Sequence, residues 1–376
     1  MSSVGALYLH VPFCARKCAY CDFFSAQTRP DDPKLDEFVG RQLALVRRFS
    51  EAGLLSDCVT AYVGGGTPTL LGASRLDRLV EGIREACPHL EELSCEANPD
   101  SLTDEVIDAA VGSGVTRLSV GVQSLEDVEL ERLGRLHTAA QAKERVGAAV
   151  ASGLDVSVDL MCAIPSQTTR SWDRTLRDVV SLGVGHVSVY PLSIEEGTPL
   201  GSAYADVEPP WNDEDVQAER MERAAAVLES EGYSRYEVAS YAKPGRQCRH
   251  NQAYWTGVPY LGVGRGAASM LDGNLYDTVR EVYGWLPMRP RDCARARFST
   301  LDREVEFLSE REAWAEDLML GMRLTRGVKV AEVPPATVSE LLGRGLVKLE
   351  EDRMAPTHDG WLLGNELYGI LWDLAG

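Results

Sequence analysis

The sequence predicts an α/β protein: a partial (β/α)6 barrel followed by a small C-terminal α+β module that is winged-helix-like. Short β-rich runs alternate with longer amphipathic segments up to residue 192, and unusual polar residues follow the ends of the short runs. Such alternation is typical of βαβ units around a parallel sheet. From residue 309 the pattern changes to helix, short strands and a closing helix, which indicates the separate module.

Six strands are predicted from apolar, β-branched runs at residues 6–10, 59–64, 92–97, 116–121, 154–160 and 186–192. Amphipathic helices are predicted between them, at residues 35–52, 74–86, 103–112, 138–151 and 168–182. Thr103 and Thr168 are predicted N-caps, and Gly53, Gly153 and Gly183 follow helix ends. Six strands fit an open barrel better than a closed eight-stranded one, and a doubly wound sheet is the alternative.

Polar and glycine-rich residues follow the predicted strands at their C-terminal ends. Cysteines follow the first strand, the segment GGGTPT at residues 64–69 follows the second, and Gln123 follows the fourth. Glu96 and Asp159 end the third and fifth strands. Barrel enzymes build their sites from the C-terminal ends of strands, so we expect these residues to share one rim.

Past residue 200 the strand–helix alternation gives way to a mixed pattern. Residues 201–212 are predicted to be a Pro-rich loop, 213–231 a helix and 232–242 a strand. A turn is predicted at residues 248–255 and a Gly-rich segment at 260–269. We therefore expect three parts: the barrel at 1–205, an extension at 206–300 and the C-terminal module at 301–376.

The 376-residue chain is acidic, with a formal net charge of -19. It has no run of basic residues, so it is expected to repel nucleic-acid phosphates and not to bind nucleic acid. The N-terminus lacks the basic and apolar regions of a signal peptide. No stretch approaches the roughly 18 apolar residues of a membrane span. The nine cysteines are therefore expected to be reduced, in a cytoplasmic protein.

Three cysteines stand at C-x3-C-x2-C spacing: Cys14, Cys18 and Cys21. Thiolates are soft ligands that suit zinc or an iron–sulfur cluster. Zinc requires a fourth protein ligand, for which the candidates are His10, His89 and Cys95. In the second interpretation the cysteines hold three irons of a [4Fe–4S] cube, and the fourth iron is open to a small molecule. Three cysteines favour the cluster, because they leave one iron open, just as a catalytic metal site keeps one coordination position open for its ligand.

The cysteine spacing after a first strand resembles that of the radical S-adenosylmethionine (SAM) superfamily, and Gly64-Gly65-Gly66-Thr67-Pro68 resembles its SAM-binding glycine strand. Further motifs recur in order in one subfamily, which contains the oxygen-independent coproporphyrinogen III oxidases and the related heme chaperones of HemW type. They are YLHVPFCARKCAYCDF, GGGTPT, EANP, GVQS, GRLH, VDLMCAIPSQT, YEVASYA, CRHNQAYW and GVGRGAAS. The resemblance covers nearly the whole chain and implies a radical SAM barrel, a [4Fe–4S] cluster, SAM and heme.

By motif position, the resemblance also implies a set of residues around SAM. They are Tyr8, Tyr20, Gly65, Gly66, Thr67, Glu96, Gln123, Arg135 and Asp159. Their chemistry suits these roles, since carboxylates accept hydrogen bonds from ribose hydroxyls and a guanidinium pairs with the SAM carboxylate. Tyr20 is expected to pack against adenine. His10 is expected to form hydrogen bonds near the cluster, which Cys14, Cys18 and Cys21 would bind.

Two departures from the oxidases favour the chaperones. The oxidases carry a fourth cysteine two residues after the third, where this chain has Phe23. They also carry an N-terminal extension, whereas thirteen residues precede Cys14 here. We therefore expect a heme chaperone that binds heme, the cluster and SAM and transfers heme to acceptor proteins. The alternative is an active radical SAM enzyme of the same subfamily: a coproporphyrinogen III dehydrogenase, a methyltransferase or a heme-degrading relative.

His250 in CRHNQAYW is the candidate axial ligand of heme, because imidazole commonly ligates heme iron. Tyr254 and Trp255 would then pack against the porphyrin face, and the alternative is a structural turn in which His250 caps backbone groups. Relatives often carry histidine where this chain has Ala268, so a heme role at that position is not expected. The expected partners are heme and an acceptor protein, for example a respiratory one, with at most transient membrane contact.

The glycines of the segment GVGRGAAS also raise the alternative of a nucleotide site. The run of Gly262, Gly264 and Gly266 lacks the G-x-x-G ending of a dinucleotide fingerprint and the acidic residue about 20 positions later. A dinucleotide site is therefore not expected.

Overall fold

The structure, a computed structural model, describes residues 3–205, 209–284, 295–300 and 304–376. The strands are β1 (Ala6–Val11), β2 (Phe13–Cys14), β3 (Ala26–Gln27), β4 (Thr60–Gly65), β5 (Glu92–Ala97), β6 (Arg117–Gln123), β7 (Asp155–Cys162), β8 (His186–Pro191), β9 (Ser234–Arg235), β10 (Ser240–Ala242), β11 (Tyr260–Val263), β12 (Ala268–Asp272), β13 (Arg295–Ser299), β14 (Glu304–Leu308), β15 (Val328–Lys329), β16 (Val347–Glu350) and β17 (Arg353–Pro356).

The α-helices are α1 (Lys34–Glu51), α2 (Ala73–Ala86), α3 (Asp104–Ser113), α4 (Asp127–Arg132), α5 (Ala139–Ala151), α6 (Thr169–Ser181), α7 (Pro199–Ala203), α8 (Glu214–Ser230), α9 (Arg249–Trp255), α10 (Gly273–Tyr283), α11 (Glu310–Gly321), α12 (Pro335–Gly343), α13 (His358–Leu362) and α14 (Gly364–Trp372). Short 3₁₀ turns cover Pro68–Leu71, Val330–Glu332 and Asp373–Ala375. No helix among the described residues is long and apolar enough to cross a membrane.

The strands of the barrel follow one another around the sheet in chain order. The order is β14-β13-β12-β11-β1-β4-β5-β6-β7-β8-β10-β9, and the strands from β11 to β8 are parallel. A doubly wound sheet reverses its strand order at a switch point within its βαβ units. Because β1, β4, β5, β6, β7 and β8 progress in one direction, the alternative of a doubly wound sheet is wrong, and the predicted partial barrel is confirmed.

The predicted threonine N-caps and helix-ending glycines lie at the ends of the observed helices. The Thr103 hydroxyl accepts a hydrogen bond from the backbone of Val106, and Thr168 forms a capping box with Ser171. Gly53, Gly153 and Gly183 follow helix ends with φ of 78°, 87° and 76°, which glycine adopts without strain. All six predicted strands and the five helices between them form within two residues of their predicted bounds.

The extension differs from its prediction. Residues 248–255, expected to be a turn, contain helix α9, and the Gly-rich segment 260–269 contains β11 and the start of β12. β11 adds a seventh parallel strand beside β1, so the glycines that follow it lie at the barrel rim. The predicted strand at 232–242 is two short strands, β9 and β10. Within the predicted loop at 201–212, residues 206–208 lie outside the described residues.

The C-terminal residues form helices packed on a small antiparallel sheet in the order β15-β17-β16. Their buried side chains, including Leu318, Met354 and Leu367, form a hydrophobic cluster separate from that of the barrel. This is the α+β arrangement that the sequence predicts. The predicted boundaries after residues 205 and 300 adjoin residues outside the described part of the chain, and the division into three parts stays a prediction.

Glu92, the first residue of β5, holds the N-terminal end of helix α9 by hydrogen bonds. Its buried carboxylate accepts hydrogen bonds from the backbone N–H groups of Arg249 (3.0 Å) and His250 (2.9 Å). These groups lie in the first turn of α9, where no helical partner exists for them. Glu92 therefore satisfies two donors that would otherwise be buried alone, and it fixes the segment that carries Tyr254 and Trp255.

We expect Glu92→Ala to lower the free energy of unfolding by about 1–3 kcal/mol, because two buried N–H groups lose their acceptor. Glu92→Gln keeps an acceptor oxygen and should lose less. Urea unfolding of the reduced, metal-free chain, followed by circular dichroism, measures both variants. Equal stability of wild type and Glu92→Ala would contradict the anchoring role.

Candidate functional site

The cysteine loop lies against the segment that follows β6 and α4. Cys14 ends β2, while Cys18 and Cys21 lie in the loop before β3. The Arg16 guanidinium donates to the carbonyl oxygens of Gly134 (2.7 Å) and Arg135 (2.8 Å). The loop is thus held at the rim by contacts to residues more than a hundred positions away in the chain.

A continuous chain of hydrogen bonds joins two of the cysteines through the barrel rim. The Thr67 hydroxyl donates to Cys14 Sγ (3.6 Å), and the Asn98 amide donates to Thr67 Oγ1 (2.9 Å). Arg135 donates from Nη2 to Asn98 Oδ1 (2.7 Å) and from Nη1 to Cys18 Sγ (3.5 Å). Donors aimed at sulfur stabilise thiolate over thiol, so this arrangement suits metal-binding cysteines.

The glycine segment after β4 has no room for side chains. Gly65 has φ of 110°, and a Cβ there would lie 2.5 Å from His10 Cε1. A Cβ on Gly66 would lie 2.6 Å from the Phe13 carbonyl oxygen. The Gly65 N–H donates to Glu96 Oε2 (2.9 Å). An ammonium group only donates hydrogen bonds, so its partners in this segment would be backbone carbonyl oxygens. The backbone therefore approaches the cavity as closely as the sequence predicts.

Two carboxylates, Glu96 and Asp159, lie close together below the rim. Glu96 accepts from Tyr62 (3.0 Å) and from Gly65, and Asp159 accepts from Ser119 (2.9 Å). Burial, together with the nearby Asp159 charge, raises the pKa of Glu96 to about 7, although the Gly65 N–H opposes the shift. Burial likewise raises the pKa of Asp159, opposed by hydrogen bonds from serine hydroxyls. Such a pair offers acceptors to a ligand with neighbouring hydroxyl groups.

The inner face of the barrel is polar along its whole height. Side chains two residues apart share that face, and the strand register sets Ser119 opposite Ser157, and Ser157 opposite His186. The inward-facing set is Tyr8, His10, Tyr62, Ser94, Glu96, Arg117, Ser119, Ser157, Asp159, His186 and Ser188. Closed barrels usually fill this volume with branched apolar residues. Here the polar lining leaves a ligand cavity.

A cavity of about 420 Å³ opens at the rim and extends down this polar face. It brings together most of the residues that the sequence predicts to form the site: Cys14, Cys18, Tyr20, Cys21, Gly65, Gly66, Glu96, Gln123, Arg135 and Asp159. Gln123 ends β6 at a bulge with φ of 67°, a conformation that turns the strand end toward the cavity. Thr67 lies beside this cavity, beneath Cys14, and is not among its lining residues.

A second cavity, of about 510 Å³, lies on the other side of Gly65. It contains Tyr8 and His10, which the sequence assigned to the surroundings of the cluster and SAM. His10 donates from Nε2 to the Phe24 carbonyl oxygen (2.8 Å) and accepts at Nδ1 from Tyr8 (3.0 Å). The walls of the second cavity are strongly aromatic. The full lining is Tyr8, His10, Phe23, Phe24, Gly65, Glu96, Tyr254, Trp255, Tyr260, Gly266, Ala268, Met270, Arg297, Glu316 and Leu320.

His250 lies behind the wall of the second cavity. It is fully buried, and its ring nitrogens bond to Thr60 Oγ1 (3.0 Å) and Tyr254 Oη (2.9 Å). Burial lowers its pKa to about 3, so the imidazole is neutral. His250 does not line either cavity, whereas its neighbours Tyr254 and Trp255 line the second one. A role as an axial ligand therefore requires the Tyr254 side chain to move.

The three cysteines do not form a mononuclear metal site with other side chains of the described residues. Across the part of the chain that the structure describes, no group of three or more histidine, cysteine or carboxylate side chains converges closely enough to hold one metal ion. Tetrahedral zinc needs thiolates at about 2.3 Å from a shared centre. A four-iron cube binds each thiolate at a different iron and tolerates the wider spacing. The residues present therefore fit a cluster better than zinc.

Sequence reasoning missed two residues of this site. Asn98, the centre of the hydrogen-bond chain, lies in the EANP motif two residues after Glu96, and the sequence alone assigns it no role. Arg16 lies between the first two cysteines, where its long-range partners are invisible in the sequence. The polar inner face had a visible signal, since serine, aspartate and histidine recur at every second position of the predicted strands.

The chain is similar in sequence to a known protein family and to curated proteins. Residues 8–179 match the family described as the radical SAM superfamily. The chain is 31% identical over 379 residues to the heme chaperone HemW of Bacillus subtilis, covering 96% of this chain and 97% of that protein. It is 34% identical over 310 residues to the heme chaperone HemW of Escherichia coli, covering 80% and 78%.

A solved structure agrees on the fold. The coproporphyrinogen III oxidase HemN of Escherichia coli, described as a radical SAM enzyme, superposes with a TM-score of 0.74 over 98% of this chain and 90% of that chain. The two sequences are 20% identical, so the likeness shows a common fold rather than a common activity. It extends beyond the barrel, because the superposition covers nearly all of both chains.

The raised pKa of Glu96 makes a prediction about stability and pH. A carboxyl group whose folded pKa is about 7, against an ordinary 4.5, resists ionisation in the folded chain. The stability it contributes is fully present below pH 4.5 and is lost as pH rises through about 7. Relative to Glu96→Gln, the wild type should lose on the order of 3 kcal/mol of unfolding free energy between pH 4.5 and 8. Parallel urea titrations of both proteins measure the difference, and a pH-independent difference would contradict the assignment.

Proposed function

The chain belongs to the HemW family of the radical SAM superfamily, and we propose that it is a heme chaperone that binds heme and transfers it to an acceptor protein. The observation that carries the proposal is the identity to HemW proteins across almost the full length of both sequences. Phe23, where the sequence analysis expects a cysteine in an oxidase, supports the same choice.

We propose that Cys14, Cys18 and Cys21 bind a [4Fe–4S] cluster. Burial raises the pKa of Cys14 and of Cys21, and the neighbouring thiolates add to the shift. At Cys14 the Thr67 hydroxyl opposes the shift by donating to sulfur, and the nearby Arg135 charge opposes it as well. When bound, the cluster would supply a redox centre with one open coordination position. The chain's own part is to hold three thiolates at the mouth of a cavity that accepts a small ligand.

We propose that SAM occupies the upper half of the first cavity. Support comes from the chemistry that surrounds it: carbonyl oxygens near Gly65 and Gly66 for an ammonium group, and Arg135 for a carboxylate. Glu96 and Asp159 supply acceptors for ribose hydroxyls. Tyr20 lies beside these residues with an aromatic face for adenine, as the sequence analysis expects.

We propose that heme binds in the second cavity. A porphyrin needs flat apolar faces, and Tyr254, Trp255 and Tyr260 supply aromatic walls. Its propionates need a cation, and Arg297 lines the same cavity. Phe23 and Glu96 line both cavities, so the proposed heme would lie next to the proposed cluster and SAM.

The axial ligand is proposed to be His250. Its neutral imidazole is the protonation state that ligates iron, and its Nε2 bonds to the hydroxyl of Tyr254, a residue that lines the cavity. The Met270 thioether, which lines the cavity directly, is the competing ligand. Histidine and methionine give different heme spectra, so the variants His250→Ala and Met270→Leu distinguish them.

The proposal predicts stoichiometric heme binding that depends on the aromatic cavity. We expect Trp255→Ala to weaken heme affinity about tenfold or more, because the porphyrin loses a stacking face. The matched control is Trp372→Ala, at a tryptophan exposed on the C-terminal module. Heme titration of the anaerobically reconstituted protein, monitored at the Soret band, measures both variants.

Two outcomes would contradict the proposal, the first its heme site and the second its chaperone function. Equal heme affinity of wild type and Trp255→Ala would remove the second cavity as the heme site. Conversion of coproporphyrinogen III to a decarboxylated product, in the presence of SAM and dithionite, would show an active enzyme of the oxidase type instead. Transfer of bound heme to an apo-acceptor, without porphyrin product, is the expected result.

A further inference from the structure

The first cavity continues below the proposed SAM site to a polar floor. Arg117 begins β6 and Gln123 ends it, so along the strand the floor lies roughly 20 Å from the rim. The floor residues are Arg117, Ser119, Ser157, His186, Cys248 and Asn251. None of these has a role in the proposed function. The cavity therefore has a lower half, with its own chemistry.

Arg117 is the only guanidinium at this floor among the described residues, and it is incompletely paired. Its side chain is 4% exposed. Nη1 donates to the Arg246 carbonyl oxygen (3.0 Å) and lies 4.0 Å from Asp155 Oδ2. Nη2 has no hydrogen-bond partner within the described part of the chain. A buried donor without an acceptor is costly, and an acceptor supplied by a ligand would remove that cost.

Ser157 adds a second donor beside Arg117. Burial, and the nearby Arg117 charge, hold the pKa of His186 well below its ordinary value, so the ring is neutral and carries one hydrogen. Tyr236 Oη accepts from the Cys248 N–H (3.2 Å) and lies 2.9 Å from His186 Nε2, and we assign the tautomer in which this nitrogen accepts the Tyr236 hydroxyl hydrogen. Nδ1–H of His186 then donates to Ser157 Oγ (2.7 Å). The Ser157 hydroxyl hydrogen is left to donate into the cavity.

We propose that this floor binds the carboxylate of a second small molecule, distinct from SAM. The unpaired Nη2 of Arg117 and the hydroxyl of Ser157 are donors suited to a carboxylate. A monoanionic group fits better than a phosphate dianion, because Asp155 and Asp159 already partly neutralise Arg117. The inference rests on the proposed function only where it assigns the upper half of the cavity to SAM.

Isothermal titration of the full, reduced chain without cluster or SAM tests the floor directly. The probes are acetate, succinate and glutarate, with succinamide as the uncharged match of succinate. We expect at least one carboxylate to bind once per chain, and succinamide to bind about tenfold more weakly than succinate or worse. Arg117→Met should lower carboxylate affinity about tenfold or more, with Arg117→Lys between it and wild type.

Further variants separate a binding role from a structural one. Ser157→Ala removes one donor without disturbing Arg117, and should weaken carboxylate binding without a change in circular dichroism. Absence of binding by all three carboxylates, or equal affinity for succinate and succinamide, would overturn the proposal. Equal affinities of wild type, Arg117→Met and Ser157→Ala would overturn it as well.

A second titration, on the reconstituted protein saturated with SAM, tests whether two ligands coexist. We expect the carboxylate to bind with unchanged stoichiometry. Displacement by SAM would overturn the claim of a second ligand, because SAM would then fill the floor itself. Failure of the protein to bind SAM or heme leaves the first titration decisive for the floor, so the two proposals fail separately.

Discussion

Two of the three cysteines are tied to the barrel by one chain of hydrogen bonds that runs through Thr67, Asn98 and Arg135. Thr67 follows β4, Asn98 follows β5, and Arg135 bonds to Gly121 of β6, so the chain links the cysteine loop to three neighbouring strands. Arg135 also donates to the Gly121 carbonyl oxygen (2.6 Å), which anchors the guanidinium at the β6 bulge. The donors to sulfur, the proposed SAM carboxylate site and the open rim all depend on this arrangement. Together with the hydrogen bonds from Arg16 to Gly134 and Arg135, it holds the cysteines at the mouth of the cavity.

The second constraint is the polar inner face, because its side chains line a ligand cavity where barrels usually have an apolar core. A barrel that buries serine, aspartate and arginine gives up apolar packing and must satisfy each polar group with a partner. Most partners are present, as in the pairs of Ser119 with Asp159 and Ser157 with His186. Arg117 Nη2 and Ser94 Oγ have no hydrogen-bond partner among the described residues, and the Arg117 donor, which lines the cavity floor, points to a ligand. Phe23 and Gly65 line both cavities, so the proposed heme site and the proposed cluster share a wall.

Much of the barrel was predictable, because strand ends, caps and helix-ending glycines are local signals. Thr168 and Gly183 act as predicted, and the strand-end residues Glu96 and Asp159 meet in one cavity. The extension was less predictable. The sequence predicts a turn where α9 forms, because the carboxylate that accepts from the first backbone N–H groups of α9 belongs to Glu92, far away in the sequence. The roles of Tyr8 and His10 depend on which of the two cavities they line, and this depends on the tertiary structure rather than on the local sequence. His250 lies in a recognisable sequence motif, but its burial behind Tyr254 results from tertiary packing, which the motif does not show.

The central claim is that three cysteines leave one iron open to SAM. Mössbauer spectroscopy of the chain reconstituted with isotopically enriched iron tests it directly, with and without SAM. The expected result is one iron site in four that differs from the rest and changes its isomer shift when SAM is added. Four irons that do not respond to SAM, or a metal content that fits a single ion per chain, would contradict the claim.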